Sequence, residues 1–334
     1  MTSFLEAARG VDGAHAPIWI MRQAGRYLPE YREIKLRATF EEMTRDPSIA
    51  AEITLQPLRR FQLDAAIVFA DIMTPLEALG IDVRFDPGPK IAEPIRTAAQ
   101  VDGLRRTGPI APFVGETLRL ARRALPDGVA LIGFGGAPLT LAAYVIEGGG
   151  SKDFERFRGL LRAEPQTLHR LLDALSDLTI DYLRMQIDAG ADAVQLFDSW
   201  AGLHDEPTFR EFGVPYAARI MRALEPTGVV RTYFGLNAAH LLDAIDEIPS
   251  EIVGVDWRTS LRRARTRLGR TVQGNLDPAV LFADSETIVA QTQNVLEDGR
   301  GGAHVFNLGH GIWPETPLDS VRLLIDTVHG YDRS

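Results

Sequence analysis

The feature of this sequence that most constrains its fold is the alternation of short apolar runs with longer amphipathic stretches. The apolar runs are rich in β-favouring residues, and the stretches between them repeat apolar residues at intervals of three and four positions, as amphipathic helices do. Strands that alternate with helices pair in parallel, and the helices cover the sheet. Eight such units in 334 residues predict a (β/α)8 TIM-type barrel, with a doubly wound sheet as the competing fold.

The predicted elements run through the whole chain. The predicted strands are 18–21, 65–69, 130–134, 193–197, 229–234, 252–255, 271–273 and 304–307. The predicted helices include 49–61, 112–124, 164–189, 238–245, 261–268, 286–298 and 317–329, and a further helix begins at Pro29. Residues 72–112, rich in Pro and Gly, predict an insertion after the second strand. No linker or break in composition divides the chain, so we predict a single domain over 1–334.

The composition argues against several classes of function. A net charge of −9 disfavours nucleic acid as a partner, because phosphate binding needs a basic face. The chain has no cysteine, which removes disulfides and thiolate metal sites and fits a reducing cytoplasm. No apolar run reaches the roughly 20 residues of a membrane span, and the first residues lack the basic segment and apolar core of a signal peptide. We therefore expect a soluble cytoplasmic protein that acts on a small molecule.

Unusual polar residues follow nearly every predicted strand. In a (β/α)8 barrel the active-site cleft lies at the C-terminal mouth of the strands, where the strand-to-helix loops meet. The candidates are Arg22 and Arg26 after the first strand, Asp71 after the second, Tyr144 on the helix after the third, Ser199 after the fourth and His310 after the eighth. We expect these side chains to meet at one end of the barrel.

The loop after the first predicted strand is cationic. Residues 22–37 hold five Lys or Arg against two Glu, a local charge of +3 in a chain whose net charge is −9. Arginine stays charged and binds carboxylate or phosphate in a two-pronged geometry, so Arg22 and Arg26 predict a site for an anionic small molecule. A pair of surface salt bridges is the alternative that spacing alone leaves open. Basic residues of the following helix, such as Lys35, fit a solvated face.

Two further candidates each have a structural alternative. Asp71 ends an apolar run, where an acid is costly unless it has a partner or a task. The task would be general acid–base work or the stabilisation of a cation, and the alternative is a helix cap or an ion pair with an arginine. Tyr144 is a candidate binding residue, but a lone tyrosine in an apolar helix is more often a packed core residue.

Motifs that would identify a common chemistry are incomplete. The glycine-rich stretch 133–140 has Pro138 where a dinucleotide fingerprint needs glycine, and it lacks the ending of a P-loop. Phe197 stands where a nucleophile elbow needs its first glycine, so Ser199 is predicted to donate a hydrogen bond and not to be an acyl nucleophile. The histidines form no tight ligand cluster, so we predict no metal site. His310 lies between two glycines, with a structural role as the alternative.

Five stretches of the chain together resemble the uroporphyrinogen decarboxylase family. They are 17–33, 132–148, Phe-Asp-Ser-Trp-Ala-Gly at 197–202, Gln-Gly-Asn-Leu-Asp-Pro at 273–278 and Phe-Asn-Leu-Gly-His-Gly-Ile at 306–312. The resemblance covers essentially the whole chain, and a run as long as the first is highly specific. It implies a (β/α)8 barrel that works as a homodimer without cofactor or metal. The implied reaction removes carbon dioxide from the four acetate side chains of uroporphyrinogen III, giving coproporphyrinogen III in haem biosynthesis.

The resemblance also implies roles for individual residues. Arg22 and Arg26 match the arginines that hold substrate carboxylates, and Asp71 matches the acid that hydrogen-bonds the pyrrole N–H groups and stabilises the transition state. The implied catalytic residues are Asp71, Arg22 and Arg26. The implied substrate-binding residues are Arg22, Gln23, Ala24, Gly25, Arg26, Asp71, Tyr144, Ser199 and His310. The chain departs from the usual family pattern at Leu139, Leu236, Asn237 and Lys35, which leaves the peripheral substrate contacts open.

Two other functions compete with this interpretation. A corrinoid-dependent methyltransferase of the same superfamily relies on a zinc site with a thiolate ligand, and this chain has no cysteine. A catalytically silent binder of an anionic tetrapyrrole is disfavoured because both arginines and Asp71 are present.

Overall fold

The computed structural model describes residues 3–85 and 88–333, and within them it confirms the α/β class. The strands are β1 (Ala65–Ile67), β2 (Val83–Phe85), β3 (Pro89–Ile91), β4 (Ala130–Gly136), β5 (Ala193–Asp198), β6 (Val230–Gly235), β7 (Ile252–Gly254), β8 (Thr271–Leu276) and β9 (His304–Leu308). Seven of these form one parallel sheet in the order β1-β4-β5-β6-β7-β8-β9. Each strand lies beside its predecessor in the chain, which is the arrangement that successive βα units produce.

Helices connect these strands. The α-helices are α1 (Phe4–Ala8), α2 (Pro29–Lys35), α3 (Phe40–Arg45), α4 (Pro47–Arg60), α5 (Ala98–Gly103), α6 (Pro112–Ala124), α7 (Pro138–Glu147), α8 (Glu155–Ala163), α9 (Pro165–Asp188), α10 (Glu206–Phe212), α11 (Val214–Leu224), α12 (Leu242–Ile245), α13 (Leu261–Leu268), α14 (Ser285–Asp298) and α15 (Leu318–Gly330). Short 3-10 helices lie at Thr74–Leu79, Ala201–Leu203, Glu225–Thr227, Ala239–Leu241 and Pro278–Phe282. The predicted helices 112–124 and 261–268 have the observed bounds, and the predicted helix 238–245 is a 3-10 turn followed by α12.

The prediction of a regular strand over 18–21 is wrong. Only Ile18 forms a bridge, and it is parallel to Phe306 in β9. The N–H of Trp19 donates to the carbonyl of Phe306 at 3.4 Å, and the N–H of Asp64, next to β1, donates to the carbonyl of Ile18 at 2.9 Å. The segment therefore contacts one edge strand of the sheet and the residue that precedes the other.

The backbone N–H groups that would have continued this strand donate to side chains and not to a neighbouring strand. The N–H of Ile20 donates to Oε1 of Gln23 at 2.8 Å, and the N–H of Met21 donates to Oδ1 of Asn307 at 2.9 Å. With those donors bound to side chains, the ladder of backbone bonds cannot extend beyond the first residues. The regular sheet consequently has seven strands where eight were predicted.

The predicted insertion 72–112 has structure of its own. It contains the first 3-10 helix, helix α5 and the antiparallel hairpin of β2 and β3, which was not predicted. The hairpin lies against the end of α7, where the N–H of Ile91 donates to the carbonyl of Gly148 at 3.0 Å.

The parallel sheet is covered on both faces. Strands β4, β6, β8 and β9 are buried at every position, as is typical when helices pack outside a curled parallel sheet. A chain of polar side chains crosses the interior: Nε1 of Trp19 donates to Gln273, which donates to Gln195, each at 3.0 Å. Among the described residues, no helix is long and apolar enough to cross a membrane.

Candidate active site

The predicted site residues are distributed over the loops at the carboxyl ends of the parallel strands. Asp71 follows β1, Tyr144 lies on the helix after β4, Ser199 directly follows β5 and His310 follows β9. Arg22 follows the bridge at Ile18, which is parallel to β9. Because the strands are parallel, these loops share one edge of the sheet.

The backbone at Arg22 turns sharply. Its φ of 63° lies in the left-handed region, which is uncommon for a residue other than glycine. The neighbouring Gln23 holds this turn: its side chain is fully buried, accepts the N–H of Ile20 and donates from Nε2 to the carbonyl of Ala65 at 2.9 Å. The loop carrying Arg22 is thereby attached to β1.

The side chain of Arg22 lies against the loop after β9. A β-carbon at Gly311 would fall 2.7 Å from Cγ and 2.9 Å from Nε of Arg22, so the arginine packs directly on the glycine backbone. The Arg22 side chain is open to water, but surrounding protein displaces enough of that water to lower its pKa. The nearby charge of Arg26 lowers the pKa of Arg22 further, while Asp71 and Tyr144 oppose this effect.

Asp71 has a cap partner and a cationic neighbour. Its Oδ1 accepts the backbone N–H of Met73 at 2.8 Å. Burial raises the pKa of the Asp71 carboxyl to about 6, although the Met73 N–H and the charge of Arg22 both act to lower it. Of the structural alternatives that the sequence left open, Asp71 shows a cap of a turn, and the charge of Arg22 also acts on its carboxyl.

Tyr144 is at the edge of an aromatic cluster. Its ring meets that of Trp200 edge-on at 5.9 Å between centroids and that of Phe154 at 6.1 Å. Burial raises the pKa of the Tyr144 phenol, and the charges of Asp71 and Arg22 also act on it. Tyr144 thus packs against aromatic rings and also lies near the charged groups of Asp71 and Arg22.

Ser199 is held by a buried acid that the sequence analysis did not select. Asp198 ends β5 with no exposed surface, and it accepts hydrogen bonds from Thr140 Oγ1 at 2.6 Å and from the Tyr233 hydroxyl at 2.8 Å. Thr140 Oγ1 also accepts the N–H of Trp200 at 3.1 Å. These bonds fix the turn that carries Ser199 at the exit of β5. The only sequence signal was an acid directly after an apolar strand.

His310 is next to Arg22. Burial lowers the pKa of the His310 imidazole to about 4, and the positive charges of Arg22 and Arg258 add to that effect while Asp256 opposes it. The ring is therefore neutral at neutral pH, with one nitrogen able to donate and the other able to accept a hydrogen bond.

Three predicted loop residues present little side-chain surface to the cleft. Gln23 is fully buried with both ends of its amide bound to backbone groups. Ala24 packs against the apolar cluster that surrounds α2 and α15. Gly25 is buried and its carbonyl accepts the N–H of Leu28 at 3.1 Å. The charges of Arg26, Asp71 and Tyr144 act on the pKa of Arg22, and the charge of Arg22 acts on the pKa of His310. Within the described residues, Ser199 is connected to these side chains by its neighbour Trp200, which packs on Tyr144.

The arrangement combines two cations, a carboxylate of raised pKa and neutral polar groups. Arginines bind carboxylates in a bidentate manner, and a carboxylate in a partly dehydrated site stabilises a positive charge that develops nearby. Within the described residues, no three His, Asp or Glu side chains converge as metal ligands would. This combination of groups suits an anionic ligand and can stabilise a positive charge that develops beside Asp71.

Comparison with known proteins gives a consistent family. A family model described as uroporphyrinogen decarboxylase matches residues 1–331. The chain is 45% identical over 336 residues to the uroporphyrinogen decarboxylase of Syntrophotalea carbinolica, with 99% of this chain and 98% of that one covered. It is 46% identical over 338 residues to the enzyme of that name from Nocardia farcinica, with 98% and 95% covered.

Solved structures that resemble the chain are more distant in sequence. A methyltransferase from Methanosarcina mazei matches with a TM-score of 0.79 at 20% identity, covering 97% of this chain and 96% of that one. A B12-independent methionine synthase from Shewanella sp. W3-18-1 matches with a TM-score of 0.61 at 10% identity, covering 95% and 94%. At these identities the likeness concerns the fold alone.

Proposed function

The chain belongs to the uroporphyrinogen decarboxylase family, and from this premise we propose how its own residues act. It is a carboxy-lyase of tetrapyrrole biosynthesis that converts the four acetate side chains of uroporphyrinogen III to methyl groups, giving coproporphyrinogen III and carbon dioxide. The alternative of a corrinoid-dependent methyltransferase is not favoured by the family match. The observation that carries the residue assignment is geometric: the loop of Arg22 is hydrogen-bonded through Gln23 to β1, and Asp71 follows that strand, so the cation and the acid share one end of the sheet.

Arg22 and Arg26 bind substrate carboxylates in our proposal. Both side chains are open to water, and each repels the other's charge unless an anion lies between them. A substrate that carries eight carboxylates supplies that anion. Gln23, Ala24 and Gly25 contribute by holding the loop between the two arginines, Gln23 through its bonds to Ile20 and Ala65.

Asp71 stabilises the charge that develops during the reaction. Protonation of a pyrrole ring carbon converts the ring to a cationic iminium. The C–C bond to the carboxylate then breaks, carbon dioxide leaves, and the bonding electrons neutralise the iminium. A proton adds to the methylene carbon and the ring proton leaves, so each cycle replaces carbon dioxide by one proton. Oδ1 of Asp71 is bound to Met73, and the remaining oxygen accepts the pyrrole N–H while the ring is positive.

The first proton comes, in our proposal, from a water molecule held by Arg22. The lowered pKa of this guanidinium makes it a stronger hydrogen-bond donor than an arginine of ordinary pKa, and it orients a water beside the ring. His310 is neutral at neutral pH and serves as a hydrogen-bonding substrate contact. Tyr144 and Ser199 complete the set of substrate contacts. No cofactor or metal takes part in this scheme.

The finer architecture is also a proposal. We infer that residues 17–23 take the eighth position and close the sheet into a barrel, because they hydrogen-bond to β9 and to residues 64 and 65 at β1. We expect one domain, a homodimer and a cytoplasmic location without nucleic-acid partners, which rest on the family resemblance and on the composition. Light scattering during size-exclusion chromatography measures the oligomeric state directly.

One assay tests the function. Anaerobic incubation with uroporphyrinogen III, followed by oxidation and chromatography of the porphyrins, should give seven-, six-, five- and four-carboxylate products in succession. The reaction should proceed without added metal or cofactor. Unchanged substrate in the presence of well-folded protein would overturn the assignment.

A further inference from the structure

The loop after β7 presents a second arginine site at the same end of the sheet. Asp256 follows this strand with 1% of its surface exposed, and its carboxylate accepts the backbone N–H of Arg258 at 2.8 Å and that of Asn237. The buried acid therefore organises two neighbouring loops, those after β6 and β7. Arg258 is exposed to water, whereas Asp256 is buried.

The side chain of Arg258 is held by stacking, and its guanidinium makes no close hydrogen bond to Asp256. Its guanidinium carbon lies 4.0 Å from the centroid of the Trp257 ring, a stacked cation–π geometry. Its Nη1 is 3.7 Å from Oδ1 of Asp256, too long for a hydrogen bond, and half of the Arg258 side chain (50%) is exposed. Stacking restricts the rotamers of the guanidinium while leaving N–H groups that face water, which is the preorganised state that favours binding of an anion.

The contacts of Trp257 place this arginine near the proposed active site. A β-carbon at Gly309 would lie 2.9 Å from Cε3 of Trp257, so the indole packs directly on that glycine. Gly311, two residues further, carries the side chain of Arg22 in the same way. His310 lies between these two glycines, and the charges of Arg22 and Arg258 both lower its pKa. The loop after β9 thus packs against Arg22 at Gly311 and, at Gly309, against the tryptophan on which Arg258 stacks.

We propose that Arg258 binds a peripheral carboxylate of the tetrapyrrole substrate, with Trp257 as its stacking platform and Asp256 as the anchor of its loop. This inference rests on the proposed function. A macrocycle with eight carboxylates has more anionic groups than Arg22 and Arg26 can pair with, and Arg258 supplies a further planar fork at the same mouth. Arg258 contributes to binding in the ground state and the transition state alike, so it affects KM more than kcat.

The test compares Arg258→Gln with the matched control Arg263→Gln, which changes an exposed arginine on the helical surface of α13. Arg258→Gln should raise the KM for uroporphyrinogen III about ten-fold or more with kcat within about two-fold, because a charge-assisted hydrogen bond is lost. Arg258→Lys should give an intermediate KM, since it keeps the charge but loses the planar fork. Arg263→Gln should behave like the unaltered enzyme.

Product inhibition identifies the carboxylate that Arg258 binds. If Arg258→Gln also weakens inhibition by the four-carboxylate product, which has no acetate left, Arg258 binds one of the four carboxylates that survive all steps. If KM rises for the acetate-bearing substrates while product inhibition is unchanged, Arg258 binds an acetate. An unchanged KM for folded Arg258→Gln at every step would overturn the proposal. Absence of product from the unaltered enzyme would instead overturn the proposed function, so the two failures are distinguishable.

Discussion

The side chain of Arg22 lies directly on the backbone of Gly311, and a β-carbon at position 311 would approach Cγ of Arg22 to 2.7 Å and Nε to 2.9 Å. The glycine is required here for close approach and not for an unusual backbone conformation, because its φ is not in the left-handed region. Residues far apart in the chain thus define the position of one guanidinium. If Arg22 binds a substrate carboxylate, as proposed, this contact sets the position of that carboxylate.

Gly311→Ala should displace Arg22 and lower kcat/KM about ten- to a hundred-fold. A shift of about 1 Å in a group that positions the substrate can lower the rate by about a hundred-fold. Arg22 is open to water and can move aside, so the melting temperature should change little. Gly159→Ala on α8 is the matched control, since its new β-carbon would meet nothing within 4 Å. Full activity of Gly311→Ala would contradict the role given to this contact.

The acid limb of the pH–rate profile should report the ionisation of Asp71. Burial raises the pKa of Asp71 to about 6, and only the carboxylate form stabilises the cationic ring. We expect kcat/KM to fall about ten-fold per pH unit below about pH 6. Asp198 also has a pKa raised to about 6 by burial, partly offset by its hydrogen bond from Thr140. Thr140→Val should therefore move the limb only if the limb belongs to Asp198.

Asp71→Asn should abolish most turnover yet stabilise the fold at alkaline pH. The folded-state pKa of Asp71 is raised above its usual 3.8, so the stability it contributes is present at low pH and is lost as pH rises through about 6. Asparagine removes the buried charge and still offers an oxygen to Met73. We expect the free energy of unfolding to rise by about 1–2 kcal/mol at pH 8 and to change little below pH 4, measured by urea denaturation.

Asp284→Asn is a control for that experiment, because it should change the free energy of unfolding at pH 8 in the opposite direction. Hydrogen bonds from Thr287 at the start of α14 lower the pKa of Asp284, so this exposed carboxylate stabilises the fold above its usual pKa. Its replacement should lower stability at pH 8. If both variants changed stability in the same direction at pH 8, the explanation from pKa shifts would be wrong.

The fold could be predicted from sequence wherever an apolar run and its helix act as a local unit. The seven strands of the sheet and the helices 112–124 and 261–268 follow from periodicity and from flanking proline and glycine. The first strand was wrong because its continuation depends on two side chains, those of Gln23 and Asn307, which replace backbone partners. Periodicity carries no information on such a competition.

The positions of the candidate site residues could be predicted from the sequence, but the contacts that hold those residues could not. Polar residues at strand exits pointed to Asp71, Ser199 and His310, since the carboxyl ends of parallel strands share one edge. The support of Ser199 by Asp198 depends on Thr140 and on contacts between separate strands, which no local pattern encodes. The same holds for Gly309 and Gly311, whose absent β-carbons make room for side chains from two other loops.

Gln23→Leu tests whether this residue acts through the loop and not by touching substrate. The change leaves the N–H of Ile20 and the carbonyl of Ala65 without their buried partners, which should lower the free energy of unfolding by about 1–3 kcal/mol. The loop carrying Arg22 would loosen, so kcat/KM should fall together with stability. Gln23→Glu keeps an acceptor and a donor of similar size once its carboxyl is protonated. Its stability and its kcat/KM, each taken relative to the unaltered enzyme at the same pH, should therefore recover as pH falls. Loss of activity with unchanged stability in Gln23→Leu would instead indicate direct contact with the substrate.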